Sequence, residues 1–101
     1  MLTNIYELPP VPFLAELVTD LHRDAGIRIE RIVSTGQTTD WLNQNETEFV
    51  ILIQGNATLE FDDGREVTMK PGDTILIKPH QRHRVTFTST EPPCIWLCVF
   101  W

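Results

Sequence analysis

Positive charge is scarce in this sequence, which has eight lysine and arginine residues against fourteen aspartate and glutamate residues in 101 positions. The formal net charge is −6, and no cluster of basic residues stands out along the chain. Proteins that bind phosphate-rich surfaces usually present a basic patch. The composition therefore argues against nucleic acid and anionic membranes as partners.

Long apolar runs are also missing, since none approaches the ~18 residues that a membrane-spanning helix needs. Residues 1–26 contain no basic stretch followed by an apolar core, and so do not resemble a secretory signal. We therefore expect a cytoplasmic protein that does not span a membrane.

Cysteine is limited to Cys94 and Cys98, which lie in the apolar run CIWLCVFW. If that run is a strand, their Cα atoms are about 13 Å apart, beyond the ~7 Å limit for a disulfide. We expect both to be small packed residues and not a disulfide or a metal-binding pair.

Short runs rich in apolar and β-branched residues, separated by turn residues, make up most of the chain. Such a pattern predicts an all-β sandwich or barrel. At least seven strands are expected, at residues 27–34, 47–54, 57–61, 66–70, 74–77, 82–88 and 94–101.

Residues 11–24 are the one segment with helical periodicity, and Gly26 follows them as a stop signal. The apolar positions at helix spacing are Phe13, Leu14, Leu17, Val18 and Leu21. We therefore predict an N-terminal segment with a short helix over residues 1–26 and a β-barrel domain over residues 27–101.

Two motifs carry a resemblance to a known family. The first is Gly36-x5-Leu42-x-Gln44-x3-Glu48-x6-Gly55, and the second is Gly72-x10-His83. Their spacing resembles the two motifs of the cupin superfamily, G-x5-H-x-H-x3,4-E-x6-G and G-x5-P-x-G-x2-H-x3-N. The resemblance covers about residues 28–101 and implies a double-stranded β-helix, or jelly-roll, barrel.

In the cupin family, two histidines and a glutamate of the first motif and a histidine of the second bind one metal ion. These positions correspond to Leu42, Gln44, Glu48 and His83, and leucine cannot ligate a metal. The second motif also departs from the family pattern, with Lys78, His80 and Phe87 in place of proline, glycine and asparagine.

Strand alternation places His83, Val85 and Phe87 on one inward face, and Glu48 on a face with Val50 and Leu52. A buried carboxylate must be paired, protonated or bound to a metal. Two interpretations therefore remain open. In the first, a divalent transition metal such as zinc, nickel, manganese or iron is bound by Gln44, Glu48 and His83, with His80 as an alternative ligand from its turn. In the second, Glu48 and His83 form a buried hydrogen-bonded pair.

A ligand pocket is expected beside these groups, with Trp41 as its lid. The predicted pocket residues are Trp41, Leu42, His80 and Phe87. We expect a small organic ligand bound in the barrel with metal optional. The alternative is a metal-dependent cupin enzyme of the isomerase or dioxygenase type, which uses Glu48 and His83 for metal binding or acid–base work.

The final run CIWLCVFW is apolar on both faces, which an exposed strand tolerates poorly. The cupin resemblance implies dimers formed through edge strands and terminal segments. We therefore expect a homodimer, with the predicted helix or a second subunit covering this run.

Overall fold

Eight β-strands account for the regular structure of residues 2–101, the part of the chain that the computed structural model describes. No helix occurs among these residues, and so none is present that could span a membrane. The strands are β1 (Leu17–Asp24), β2 (Ile27–Ser34), β3 (Glu48–Gln54), β4 (Ala57–Phe61), β5 (Glu66–Met69), β6 (Thr74–Ile77), β7 (His83–Thr88) and β8 (Cys94–Phe100).

The strands form two antiparallel sheets, in the orders β1-β2-β8-β3-β6 and β5-β4-β7. Alternate residues of each sheet point inward, and those side chains build the apolar core. The buried core residues are Val50, Leu52, Ala57, Leu59, Phe61, Met69, Ile77, Cys94, Trp96, Cys98 and Phe100. The all-β expectation is confirmed.

The predicted helix at residues 11–24 is wrong, because residues 17–24 form β1 and pair antiparallel with β2. Leu17 and Leu21 are four residues apart, a spacing that fits a helical turn and also one face of a strand. Leu14, which the helix would have buried, is fully exposed. Ala25 and Gly26 form the two-residue turn between β1 and β2, where the sequence suggested a helix stop.

The segment between β2 and β3 brings the first motif alongside β7. The Leu42 amide donates to the His83 carbonyl oxygen at 2.7 Å, and the His83 amide donates back at 3.2 Å. The Thr39 amide donates to the Val85 carbonyl oxygen at 3.0 Å. These hydrogen bonds hold the two motifs of the sequence against each other.

The outer face of the larger sheet carries an apolar row that crosses four strands. Ile29 pairs with Val99, Val99 with Phe49, and Phe49 with Leu76. Leu76 is 48% exposed and the other three side chains are half-buried. We call these four residues the apolar row.

Candidate functional site

A cavity of about 280 Å³ lies between the two sheets. Its apolar walls come from both sheets and from the segment before β3, namely Val18, Ile32, Leu42, Val50, Leu59, Ile77, Val85, Trp96 and Phe100. Its polar lining consists of Glu16, Arg28, Glu30, Ser34, Thr39, Gln44, Glu48, His83 and Cys98. Glu16 and Val18 are exposed and form what we call the rim, whereas Glu48 and His83 are buried.

Glu48 begins β3 on its inner face and is only 7% exposed. Burial raises the pKa of this carboxyl above its ordinary value, although the hydrogen bond from Gln44 acts in the opposite direction. The Gln44 amide donates to Glu48 Oε1 at 3.1 Å. Gln44 therefore supplies the hydrogen bond that a buried carboxylate requires.

His83 begins β7, is 3% exposed and faces the same cavity. Its Nδ1 lies 2.9 Å from the carbonyl oxygen of Gln81, which can only accept, so Nδ1 carries the proton. Its Nε2 lies 4.0 Å from Glu48 Oε1. The Glu48–His83 hydrogen bond, one of the two interpretations that the sequence left open, is therefore not formed, since that separation exceeds hydrogen-bond distance and Gln44 takes the place of the imidazole.

The structure brings Gln44, Glu48 and His83 together at the cavity and places the Leu42 side chain in the same lining. Within residues 2–101, no group of three or more histidine, cysteine, aspartate or glutamate side chains is arranged to hold a metal. Of the three side chains at the cavity, the Gln44 amide is a weaker type of metal ligand than a carboxylate or an imidazole.

His80 lies outside the cavity lining, in contrast to the expected pocket role. It is exposed, and its φ of 61° is a left-handed conformation, which explains why the family has glycine at this position. Its Nδ1 lies 2.9 Å from Asn43 Oδ1, and its amide donates to the Gln44 carbonyl oxygen at 2.7 Å. His80 thus fastens the turn to the segment that carries Gln44.

Phe87 is 52% exposed and does not face the cavity as strand alternation predicted. In the β4–β7 pairing, Thr58 lies opposite Phe87 while the next residue, Leu59, lies opposite Val85. Thr86 is therefore the extra residue of a β-bulge, which reverses the orientation of the residues that follow it.

Trp41 also lies outside the cavity lining, although it was expected to form a lid. Its ring packs against two guanidinium groups, with Arg84 Cζ at 4.5 Å and Arg82 Cζ at 5.5 Å from the ring centroid. Of the four predicted pocket residues, Leu42 alone is part of the lining.

Several lining residues were not anticipated from the sequence, namely Glu16, Arg28, Glu30 and Cys98. Alternation along β2 places Arg28 and Glu30 on one face with Ile32, so strand periodicity could have predicted that both side chains face the cavity. Glu16 could not be predicted as a lining residue, because it lay in the predicted helix.

Two ion pairs of Arg28 stand at the edge of the cavity. Arg28 Nε lies 2.9 Å from Glu30 Oε2, and Arg28 Nη1 lies 2.7 Å from Glu46 Oε2. Its Cζ also lies 4.1 Å from the centroid of the Phe100 ring. The guanidinium charge is therefore already balanced by protein carboxylates.

Two further groups of the lining have a raised pKa. Partial loss of solvent at the rim of the cavity raises the pKa of Glu16, and the negative charge of Glu30 adds to the effect. Burial raises the pKa of the Cys98 thiol well above its ordinary value, and the neighbouring Glu48 charge raises it further. Cys98 is therefore a neutral thiol and not a reactive thiolate.

A double-sheet fold with both motifs at one internal cavity defines the jelly-roll class of proteins. The family model described as "Cupin domain" matches residues 30–100, and the chain belongs to the cupin family.

Individual relatives agree with this assignment. The chain is 31% identical over 72 residues to an L-ectoine synthase of Rhodococcus erythropolis, a match that spans 70% of this chain and 52% of the synthase. The chain thus spans about half the length of the curated relatives it matches.

Solved structures extend the comparison over the whole fold. A protein of Ralstonia eutropha JMP134, provisionally named a mannose-6-phosphate isomerase, superimposes with a TM-score of 0.93 at 32% identity. That match covers 99% of this chain and 96% of the other. A cupin superfamily protein of Desulfitobacterium hafniense has a TM-score of 0.77 at 15% identity, covering 90% and 81% of the two chains, which shows the shared fold alone.

Proposed function

We propose that the protein binds a small organic ligand in the cavity between its sheets and does not require a metal to do so. The cavity itself carries this proposal, because its apolar walls converge on the polar groups of Gln44, Glu48 and His83. Ligand sites typically combine apolar walls with a few fixed polar groups. The volume of about 280 Å³ suits a small molecule.

A resident metal fits these residues incompletely. Glu48 and His83 are 4.0 Å apart, which allows both to reach one ion, but Leu42 occupies a ligand position of the family motif. A zinc, nickel, manganese or iron ion would have Gln44, Glu48 and His83 as its protein ligands, an oxygen-rich set that holds such ions loosely. We therefore assign no reaction step to a metal.

The second candidate function is an enzyme of the isomerase or dioxygenase type. One feature favours it: a carboxyl with a raised pKa and an open imidazole nitrogen face the same cavity 4.0 Å apart. Such a pair suits proton transfer to and from a bound substrate. The names of the ectoine synthase and of the isomerase relative also support an enzyme.

Ligand binding can be tested by screening small organic molecules against 15N-labelled protein and following its amide and indole resonances. Molecules that bind should shift the resonances of cavity residues, including the Trp96 indole, whose Nε1 donates to Ser34 Oγ. Val85→Phe fills the cavity and should abolish these shifts, whereas Thr68→Phe on the exposed face of β5 should not. Shifts that survive in Val85→Phe would contradict binding in the cavity.

The same samples separate binding from catalysis. A bound molecule that is recovered unchanged after long incubation supports a binding protein. Conversion that is lost in both Glu48→Gln and His83→Ala supports the enzyme.

We also propose a homodimer formed by the apolar row of Ile29, Val99, Phe49 and Leu76. The row is continuous across four strands and contains no charged side chain. A second copy offers the same uncharged row, so a twofold axis can bring the two rows together. The tendency of cupins to form dimers supports this arrangement.

A further inference from the structure

The cavity lining has an excess of negative charge. It contains three carboxylates, from Glu16, Glu30 and Glu48, and one guanidinium, from Arg28. Arg28 is already paired with Glu30 and with Glu46 outside the lining. Within residues 2–101, no lysine or arginine forms an ion pair with Glu16 or Glu48. A ligand in this cavity therefore meets two carboxyl groups, those of Glu16 and Glu48, that no lysine or arginine of the described residues balances.

An independent feature also points to a ligand that donates hydrogen bonds. The Nδ1 atom of His83 carries the ring proton because it donates to the Gln81 carbonyl, which leaves a lone pair on Nε2. Within the described part of the chain, the ring makes its side-chain hydrogen bond through Nδ1, and the side chain lines the cavity. Nε2 is therefore open to a hydrogen-bond donor that a ligand in the cavity supplies.

The two acceptors are spaced for a single donor group. His83 Nε2 and Glu48 Oε1 are 4.0 Å apart. A nitrogen placed between them can lie about 2.8 Å from each, the usual length of a charge-assisted hydrogen bond. An ammonium group has several N–H donors on one small centre, so it can donate to both atoms and balance the carboxylate charge.

We infer that the ligand is an organic cation whose ammonium group lies between Glu48 and His83 while its apolar body contacts the cavity walls. The inference rests on the proposed function, since it names the class of ligand for the same cavity. Glu16 at the rim and the neighbouring Glu30 add negative potential that favours entry of a cation. An anionic group placed between Glu48 and His83 would meet the Glu48 carboxylate and the Nε2 acceptor of His83.

Three probes of the same ring size and different charge test this inference. They are cyclohexylamine, which is a cation near neutral pH, cyclohexanol, and cyclohexanecarboxylate. Each is titrated into 15N-labelled protein with a chelator present and at about 0.15 M salt, which screens distant surface charge. We expect cyclohexylammonium to bind at least about tenfold more tightly than cyclohexanol, equivalent to ~1.4 kcal/mol, and cyclohexanecarboxylate to cause no shifts in the cavity.

Variants then locate the charge that matters. Glu48→Gln keeps the shape and an acceptor but removes the charge, so the preference for the cation should fall to within about twofold, with cyclohexanol binding retained. Glu66→Gln removes an equal charge from an exposed position of β5 outside the lining and should leave the preference unchanged. Should Glu48→Gln fail to fold, Glu16→Gln at the exposed rim serves instead and should lower the preference by a smaller factor.

The possible failures are distinct. Equal binding of cyclohexylammonium and cyclohexanol, or cavity binding of cyclohexanecarboxylate, would overturn the inference and leave the proposed function intact. A loss of preference in Glu66→Gln as large as in Glu48→Gln would also overturn it, because net charge would then explain the effect. No cavity shift with any of the three probes would overturn the inference together with the proposed function.

Discussion

His83 Nε2 and Glu48 Oε1 face each other across 4.0 Å without forming a hydrogen bond. Each side chain has its own hydrogen-bond partner, which is the Gln44 amide for Glu48 and the Gln81 carbonyl for His83. Removing one of the pair therefore does not deprive the other of its hydrogen bond. The stability contribution of each residue can be measured separately.

The first prediction concerns Glu48 and pH. Burial raises the pKa of Glu48 above its ordinary 4.5, so the folded protein binds this proton more tightly than the unfolded chain does. The contribution of Glu48 to the free energy of unfolding therefore falls as pH rises from 4.5 through the folded-state pKa. Glu48→Gln has no such loss, so its stability relative to wild type should increase between about pH 4.5 and about pH 7.5.

Urea unfolding of both proteins at the two pH values, with a chelator present, measures this difference. Glu66→Gln is the control, since an exposed carboxylate should give a much smaller pH dependence. A difference between Glu48→Gln and wild type that stays constant with pH would show that Glu48 titrates like a solvated carboxyl.

The second prediction compares the two histidines of the second motif. His83 is buried, and His83→Ala removes packed atoms and the hydrogen bond to Gln81, so unfolding should become easier by about 1–3 kcal/mol. His80 is exposed, and His80→Ala should change stability by no more than about 0.5 kcal/mol. Urea melts of the two variants provide the measurement.

Binding assays on the same variants add a second comparison. His83→Ala should abolish binding in the cavity, whereas His80→Ala should at most weaken it through the segment that holds Asn43 and Gln44. A greater effect of His80→Ala on both stability and binding would contradict the placement of His83 in the cavity.

Strand alternation and turn residues were enough to predict the all-β fold, because turn glycines and a period of two are local signals that set the strand register. The meeting of Gln44, Glu48 and His83 joins distant parts of the chain, and it was predicted from the resemblance of the two motifs to those of cupins. The helix prediction failed because the spacing of Leu17 and Leu21 fits both a helix and a strand. The choice between helix and strand depends on the pairing of this segment with β2.

The remaining errors in the site have one common cause, since each depends on contacts between distant parts of the chain. The bulge at Thr86 turns Phe87 outward and is visible only in the pairing of β7 with β4. Likewise, the choice of Gln44 over His83 as the partner of Glu48 depends on distances that no spacing rule supplies.

The third prediction uses two glycines with the same backbone angle. Gly55 and Gly64 both have a φ of 92°, so alanine is strained at either position, by roughly 1–2 kcal/mol. A Cβ at Gly55 would also lie 2.8 Å from the Cα of Cys94, whereas one at Gly64 meets nothing within 4 Å.

Gly55→Ala should therefore be less stable than Gly64→Ala by a further ~1–3 kcal/mol, the usual penalty of overpacking. Urea unfolding of both variants under the same conditions measures the difference. Equal losses of unfolding free energy in the two variants would mean that the backbone near Cys94 accommodates the added methyl group without further destabilisation.

The fourth prediction concerns metal. Untagged protein offered excess zinc, nickel or manganese near neutral pH should retain less than ~0.2 metal per chain, because Leu42 replaces a ligand. Any ion that does bind should be released on acidification, since a protonated His83 cannot ligate.

Elemental analysis after desalting gives the metal content. Leu42→His supplies a third strong ligand on the cavity lining and should raise the content toward one ion per chain, while Leu42→Met should not. Wild-type protein that retains nearly one metal per chain would contradict the weak-site interpretation.

The last prediction concerns the proposed homodimer. Leu76 is 48% exposed at the end of the apolar row, and a lysine there would place a charge in the contact between two copies. Leu76→Lys should therefore weaken dimerisation by at least about tenfold, or ~1.4 kcal/mol, because the charge must lose its water. Phe87→Lys is the matched control, since Phe87 has similar exposure on the smaller sheet and lies outside the row. Light scattering at tens of micromolar should show a dimer for wild type and for Phe87→Lys. At the same concentration it should show a monomer for Leu76→Lys. A monomeric wild type would refute the dimer, and a Phe87→Lys variant that dissociates instead would place the interface on the other sheet.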